Sequence, residues 1–543
     1  MINRRSRQQL VTRYDHMANQ LASHSHQLPK PLASFVQQSP RIALGIVLAL
    51  GLYLVFQLMP DGVGFLLFAV GYFVIHTGSW IWLIKKRQDA GRLTTSTIVI
   101  SVLAYLLIPF IPFLPHLCLL IGRSGTRVNR GTRIVSAKEL ARILAKDQAA
   151  ETRPIEPLLE IGGIALPNRL ENLGFFFVGS PGSGKTQAIK QVLSTLKTRR
   201  DFRAILLDRN GELFESFYDP RRDLIFNPSD ARSVMWSHQV EGIDAETIAA
   251  SLIPDDSKDR FFSEAAKTLL ADIYERCDDN TQIWEVISSY SFEELRTFLK
   301  GGVSARYFES EKTGASVIST LVNSMRFYRQ LPAAADFSFS EWGRRDDARW
   351  LFLPVFEDTA ERYKALYSMA FELMLKGLLS NESRSLKTAL VIDELGALNH
   401  LPSLARLLSE SRKFGGTAIL GTQTEAQIDK VYGEHDRRIL LQGTATKLIL
   451  NCRDEGTAER MANMIGKQER VEHTRSKAII PGIGGARESE QIRETHAVMP
   501  AEIQALPSLE GYLSIANGTP PAKVRVEPRS YPVQAERFIS NAG

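Results

Sequence analysis

At 543 residues the chain is too long for one ordinary hydrophobic core, so roughly two to four domains are expected. Sixty-six Lys and Arg against 60 Asp and Glu leave a formal charge of +6, a mild bias towards polyanions such as nucleic acid or inner-leaflet lipid. The three cysteines, Cys118, Cys277 and Cys452, stand far apart with no CxxC spacing, which argues against a disulfide framework or a zinc site and fits a reducing compartment.

Residues 1–40 form a polar arm carrying Arg4, Arg5, Arg7, Arg13 and Lys30. A cleavable signal peptide is not expected: the arm is too long, and the apolar run behind it exceeds a signal core and lacks a small-residue cleavage site. Residues 42–59 and 63–84 are almost wholly apolar, each about the length that crosses a bilayer, with Pro60-Asp61-Gly62 as a tight turn between them. They read as a transmembrane helical hairpin. Arg41 on one flank and Lys85-Lys86-Arg87 on the other place both ends in the cytoplasm. Residues 97–121 are apolar again, but Pro109, Pro112 and Pro115 interrupt them and Arg123, Arg127, Arg130 and Arg133 follow. Basic flanks on both sides favour a broken, re-entrant or interfacial element over a straight third span. Residues 41–122 are thus assigned to the membrane and 123–157 to a linker.

Beyond the linker, short runs rich in Val, Ile, Leu and Phe alternate with helical patterns, at 174–178, 204–207, 224–226, 350–355, 389–392, 417–420, 447–450 and 512–515. Near-continuous apolar strands alternating with helices imply a parallel sheet covered on both faces. Residues 243–331 break the pattern with helical spacing and no strand, and read as an all-α domain inserted between 158–242 and 332–525. Residues 469–500 are charged, contain Pro481-Gly482-Ile483-Gly484-Gly485, and read as a mobile surface loop; 526–543 read as a C-terminal tail.

The chemistry is carried by Gly179-Ser180-Pro181-Gly182-Ser183-Gly184-Lys185-Thr186, which fits the phosphate-binding P-loop without a mismatch. A buried strand, 175–178, should precede it and a helix should follow. Backbone N–H groups then cradle phosphate oxygens at a helix N-terminus, Lys185 reaches the β- and γ-phosphates, and the Thr186 hydroxyl can ligate Mg²⁺. This makes the α/β fold a RecA-like P-loop NTPase with ATP and Mg²⁺ as its cofactors. Thr388-Ala389-Leu390-Val391-Ile392-Asp393-Glu394 reads as a strand ending in two carboxylates. Asp393 is placed to hold Mg²⁺ through water and Glu394 to orient and deprotonate the attacking water. Gln423, at the tip of the run 417–420, is placed to sense the γ-phosphate. Arg412, at a basic helix end, either complements the helix dipole or serves as an arginine finger for the neighbouring subunit of a ring.

These segments resemble the type IV coupling proteins of conjugative transfer, the TraD/TrwB family, and the F-type TraD branch most. The likeness runs over about 158–525 and includes Asp208-Arg209-Asn210-Gly211-Glu212, Tyr218-Asp219-Pro220, Asn227-Pro228-Ser229-Asp230-Ala231-Arg232, Glu311-Lys312-Thr313-Gly314-Ala315, Arg412-Lys413-Phe414-Gly415-Gly416, Gly421-Thr422-Gln423 and Val431-Tyr432-Gly433. The resemblance implies an ATP-hydrolysing hexamer at the inner membrane with its ATPase domain in the cytoplasm. Its partners would be the relaxase–DNA complex, single-stranded DNA and a type IV secretion channel. It also implies trans-finger and γ-phosphate-sensing roles for Arg412 and Gln423. Two features depart from the F-type pattern: the hairpin turn is only Pro60 to Gly62, where those relatives usually carry a sizeable periplasmic segment, and no long polar tail follows the last strand.

Two alternatives stand beside this reading. One is an FtsK-like translocase on double-stranded DNA, although the residues after Ile515 are too few for its winged-helix reader. The other is a secretion receptor ATPase for proteins only. An ABC-type ATPase would need an LSGGQ-like segment between the two halves of the site, and the chain has none there.

Overall fold

A computed structural model describes residues 128–541 apart from 152–154, 255–258, 383–384, 477–486 and 517. The membrane hairpin and the third apolar run expected from the sequence lie outside the described residues. Among those described, no helix is long and apolar enough to cross a membrane. The chain divides into two compact units, and the larger, residues 130–469 with 494–543, carries everything below except one strand pair.

Its centre is a ten-stranded sheet. In chain order the strands are β1 (Val135–Ser136), β2 (Phe175–Val178), β3 (Phe202–Arg209), β4 (Leu224–Ile225), β5 (Leu351–Val355), β6 (Lys387–Ile392), β7 (Gly416–Thr422), β8 (Thr446–Ile449), β9 (Glu510–Ile515) and β10 (Ala522–Arg525). They lie side by side as β1-β10-β9-β8-β2-β7-β6-β3-β5-β4. From β8 to β4 every neighbouring pair is parallel, for example Leu448 beside Phe177 and Ile419 beside Val391. The expectation of a wholly parallel sheet is corrected at β9, which runs antiparallel to both β8 and β10. The chain reaches β9 from the P-loop edge, and so must run back across the sheet; a short connection into β10 then closes a hairpin.

Strand residues alternate between two apolar layers, as a pleated strand buried on both faces requires. Phe175, Phe177, Leu206, Val391 and Ile419 enter one core. Phe176, Val178, Ile205, Leu207, Ile392 and Leu420 enter the other. The first layer is covered by α1 (Ala137–Ala149), α2 (Lys185–Thr198) and α3 (Glu212–Phe217). Between β4 and β5 the chain makes helices only: α4 (Ala245–Leu252), α5 (Arg260–Tyr274), α6 (Asn280–Ser289), α7 (Phe292–Phe298), α8 (Glu311–Ser324) and the short α9 (Phe339–Arg344), with single 3₁₀ turns between them. Asp244, Asp279, Ser291 and Ser310 cap α4, α6, α7 and α8 through their side chains, which is why each starts where it does. The apolar side chains of these helices, among them Ile248, Leu269, Ile273 and Leu321, are continuous with the second core. Where this segment leaves and rejoins the sheet, the buried Glu241 carboxylate accepts from Trp236 Nε1 at 2.7 Å and from Ser338 Oγ, Phe339 N and Ser340 N at 2.9 Å each. Four donors around one carboxylate satisfy its charge and tie the two ends of the segment together.

The second half of the chain adds α10 (Ala360–Leu378), α11 (Pro402–Phe414), α12 (Glu425–Gly443), α13 (Glu455–Ile465) and α14 (Pro500–Gln504). The expected mobile loop at 469–500 is also corrected: strands Lys467–Ser476 and Arg487–His496 pair there, and only its Gly-rich tip lies outside the described residues. Alternating charged and Thr or Val residues suit a solvated strand pair as well as a loop, so composition misled. After β10 the chain runs as a strap back over α2, α3 and the loop 227–232. Gln191 Nε2 donates to Glu527 O at 2.8 Å, Gln534 N to Glu215 O at 2.8 Å, and Ala231 N to Ile539 O at 2.9 Å.

Candidate active site

The P-loop leaves β2 at Val178 and ends in the first turn of α2, whose first residue is Lys185. Its backbone is fastened to the neighbouring strands: Gly179 N donates to Thr422 O at 3.2 Å and Ser180 N to Asn451 O at 2.7 Å. The Ser180 hydroxyl accepts from Arg453 N at 3.0 Å. Gly184 caps the helix at φ 109°, a conformation L side chains avoid. Held by those anchors, the loop borders an open cleft of about 840 Å³.

Three strand ends converge on that cleft. Asp393 and Glu394 follow β6, Gln423 follows β7, Arg209 ends β3, and Asn210 and Glu212 follow it. Gly421 lets β7 lie against Asp393, since a Cβ there would stand 2.2 Å from the Asp393 carbonyl oxygen. Lys185 Nζ lies 3.3 Å from Glu394 Oε2, with both side chains almost buried. Burial raises the Asp393 carboxyl above the usual range; Lys185 opposes this and the charge of Glu394 adds to it. Asp393 Oδ1, Glu394 Oε1 and Ser183 Oγ are buried without a hydrogen-bond partner. Partnerless buried oxygens beside one ammonium are costly unless a ligand completes them, and a magnesium-bound triphosphate has the charges and oxygens to do so. Gly179, Ser180, Pro181, Gly182, Gly184, Lys185, Thr186, Asp393, Glu394 and Gln423 all line this one cleft, and Ser183 sits within the same loop.

Arg412 does not join them. It lies exposed in the last turn of α11, which stops at left-handed Gly415 before β7 begins. It therefore stands at the opposite end of β7 from Gln423.

Residues to which the sequence reading assigned no role stand beside the cleft and in its wall. Asp208, at the end of β3, is fully buried: its Oδ2 accepts from Phe214 N at 2.6 Å and its Oδ1 has no partner. Burial, with Asp393 and Glu212 adding to it and two backbone N–H donors opposing, pushes it up to about 7. A carboxylate closing an apolar strand was its signal. Leu509 and Pro528 also form part of the wall, from more than 300 residues beyond the P-loop, and no local pattern marks either.

With this geometry in place, comparison with known proteins is specific. The family described as "Type IV secretion-system coupling protein DNA-binding domain" matches residues 158–527. Coupling protein TraD of Escherichia coli (strain K12) is 28% identical over 495 residues, covering 86% of this chain and 67% of that protein. The plasmid coupling protein TrwB, solved in complex with the non-hydrolysable ATP analogue ADPNP, superimposes with a TM-score of 0.67 at 26% identity, over 77% of this chain and 98% of that one. TrwB in complex with ADP and Mg²⁺ gives the same score and identity over 76% and 98%. The sheet and its cleft are those of a nucleotide-binding α/β NTPase, and the chain belongs to the TraD/TrwB family of type IV coupling proteins.

Proposed function

We propose that this coupling protein is an ATP-hydrolysing motor that works as a hexamer, recruits a relaxase–DNA complex to a type IV secretion channel and helps move single-stranded DNA through it. The observation that carries the reading is the cleft itself, where Lys185 faces Glu394 across 3.3 Å and the adjoining oxygens lack partners. The TrwB complexes with an ATP analogue and with ADP and Mg²⁺ support ATP and Mg²⁺ as the ligands.

The P-loop N–H groups and Lys185 bind the phosphates, with Thr186 and Asp393 holding Mg²⁺. The bound ion neutralises charge developing on the phosphate oxygens. Lys185 exchanges Glu394 for phosphate oxygen, which releases the Glu394 carboxylate to orient a water and take its proton. Gln423, just past β7, which lies between β2 and β6, senses the terminal phosphate. Arg412, at the far end of that strand, serves the neighbouring subunit's nucleotide. The apolar segments at 42–84 and 97–121 anchor the engine in the inner membrane, with the described domain in the cytoplasm.

One assay tests the set. ATP turnover by the membrane-extracted full chain should rise with single-stranded DNA, rise less with duplex and vanish in Lys185→Ala. Rings mixed from Lys185→Ala and Arg412→Ala subunits should regain part of it. A flat response to DNA in assembled rings would point to a protein-only cargo, and stimulation by duplex alone to a double-stranded translocase.

A further inference from the structure

The lining of the cleft falls into two groups whose chemistry differs. On the β7, β6 and β3 side stand Gln423, Asp393, Glu394 and Glu212. The rest of the lining includes Ser508 and Leu509 just before β9, Pro528 beyond β10 and Gln187 of α2, with no charge among these four. The terminal phosphate has to meet Lys185 and the paired carboxylates, so the other end of the ligand runs to the uncharged side.

Leu509 is the unusual member of that wall. Its φ is 69°, left-handed, and apart from Asn210 it is the one non-glycine residue so placed among those described. A bulky side chain avoids this region and persists there only when its surroundings hold it. Here they do. Leu509 N donates to Ser183 O of the P-loop at 2.8 Å, and Val526 N donates to Leu509 O at 2.7 Å. The side chain is pressed on Gly184, where a Cβ would lie 2.7 Å from Leu509 Cδ2. Pro528 follows directly from β10, and next to it Arg529 N occupies the Gln187 side-chain oxygen at 3.2 Å.

The geometry points to Leu509 and Pro528 as the nucleoside wall of the site, an apolar surface on which the base and ribose pack while the P-loop takes the phosphates. This rests on the nucleotide reading above and extends it. The left-handed backbone brings the isobutyl group onto Gly184 and into the lining of the cleft, while its inner side packs on the core below. Recognition through such a wall comes from buried area, not from hydrogen bonds to a base edge. A purine should therefore bind more tightly than a pyrimidine, and adenine and guanine nearly alike.

The test is calorimetry on the full chain in detergent, with Mg-ATP, Mg-GTP and magnesium tripolyphosphate as separate titrants. Leu509→Ala removes the wall but keeps the strained backbone, and Leu509→Gly removes both. Each should weaken ATP and GTP by a similar factor, about tenfold, and leave tripolyphosphate within about twofold. Wild-type affinity for ATP in either variant would overturn the proposal. So would equal weakening of ATP and tripolyphosphate, which would make Leu509 a prop for the P-loop only. Failure of the underlying site reading is recognisable separately, because neither ATP nor tripolyphosphate would then depend on Lys185.

Discussion

Strands β2, β3 and β6 carry buried charge at both ends, and the two ends are built on opposite principles. At their N-terminal ends, Arg199 holds Glu171 with both guanidinium nitrogens, at 2.5 and 3.1 Å, and also reaches Asp201 at 2.6 Å. Lys387 closes the group on Glu171 at 3.1 Å. Every carboxylate oxygen there has a cation or donor. At their C-terminal ends, Asp393 and Glu394 share one nearby ammonium, Lys185, Asp208 is paired with no cation, and each of the three keeps an oxygen with no partner. A closed set of charges fixes strands in place; an open set has to be finished by something else. The sheet is thus clamped at one edge and left receptive at the other.

That contrast yields graded expectations. Glu394→Gln keeps the size of the side chain but cannot take a proton, so ATP turnover should fall by roughly 10²–10⁴-fold while nucleotide still binds. Turnover near wild type in a rapid-quench assay would remove Glu394 from the base role. At the clamped edge, Glu171→Ala leaves Arg199 and Lys387 with Asp201 alone, and breaking such a buried group costs about 3 kcal/mol or more. Thermal denaturation should show a drop of about 3–4 °C with little change in nucleotide affinity; an unchanged midpoint would mean the cluster clamps nothing.

The smallest expected effect concerns the one exception at the clamped edge. Lys447, near the start of β8, donates to the Thr444 carbonyl but forms no ion pair among the described residues, and burial lowers it to about 8. The unfolded chain binds that proton up to about 10.5, so between about pH 8 and 10.5 it holds more protons than the folded chain. Stability therefore rises through that window, and the full penalty applies below it. Lys447→Met should stabilise the fold at pH 7 by about 1–2 kcal/mol, and the gain should shrink towards zero by pH 10. A gain that does not vary with pH would assign it to packing alone.

The clamp and the cleft were not equally legible in the sequence. The P-loop and Asp393-Glu394 could be read directly, because contiguous residues at a strand end do the chemistry. Near-continuous apolar runs at 174–178 and 389–392 placed the strands that carry them. The Glu171–Arg199–Lys387 cluster could not be read, since its members come from three separate connections and only the sheet order brings them together. Leu509 was hidden for another reason. It looks like any apolar residue at the start of a strand, and its role comes from a backbone dihedral imposed by Ser183 and Val526. The reversed direction of β9 was missed because a strand buried on both faces has the same composition whichever way it runs.

The wall that Leu509 and Pro528 give the cleft also sets an order of events during synthesis. The P-loop leaves the ribosome about 340 residues before its last wall does, a lag of roughly 17–70 s at about 5–20 residues per second. For about the first 240 of those residues β2 lacks β7, and for about the first 265 it lacks β8, its two eventual neighbours. A nascent chain can thus be partly folded without a finished nucleotide pocket. The P-loop thus gains its complete wall only after β9 and β10 have been made, more than 300 residues further along the chain.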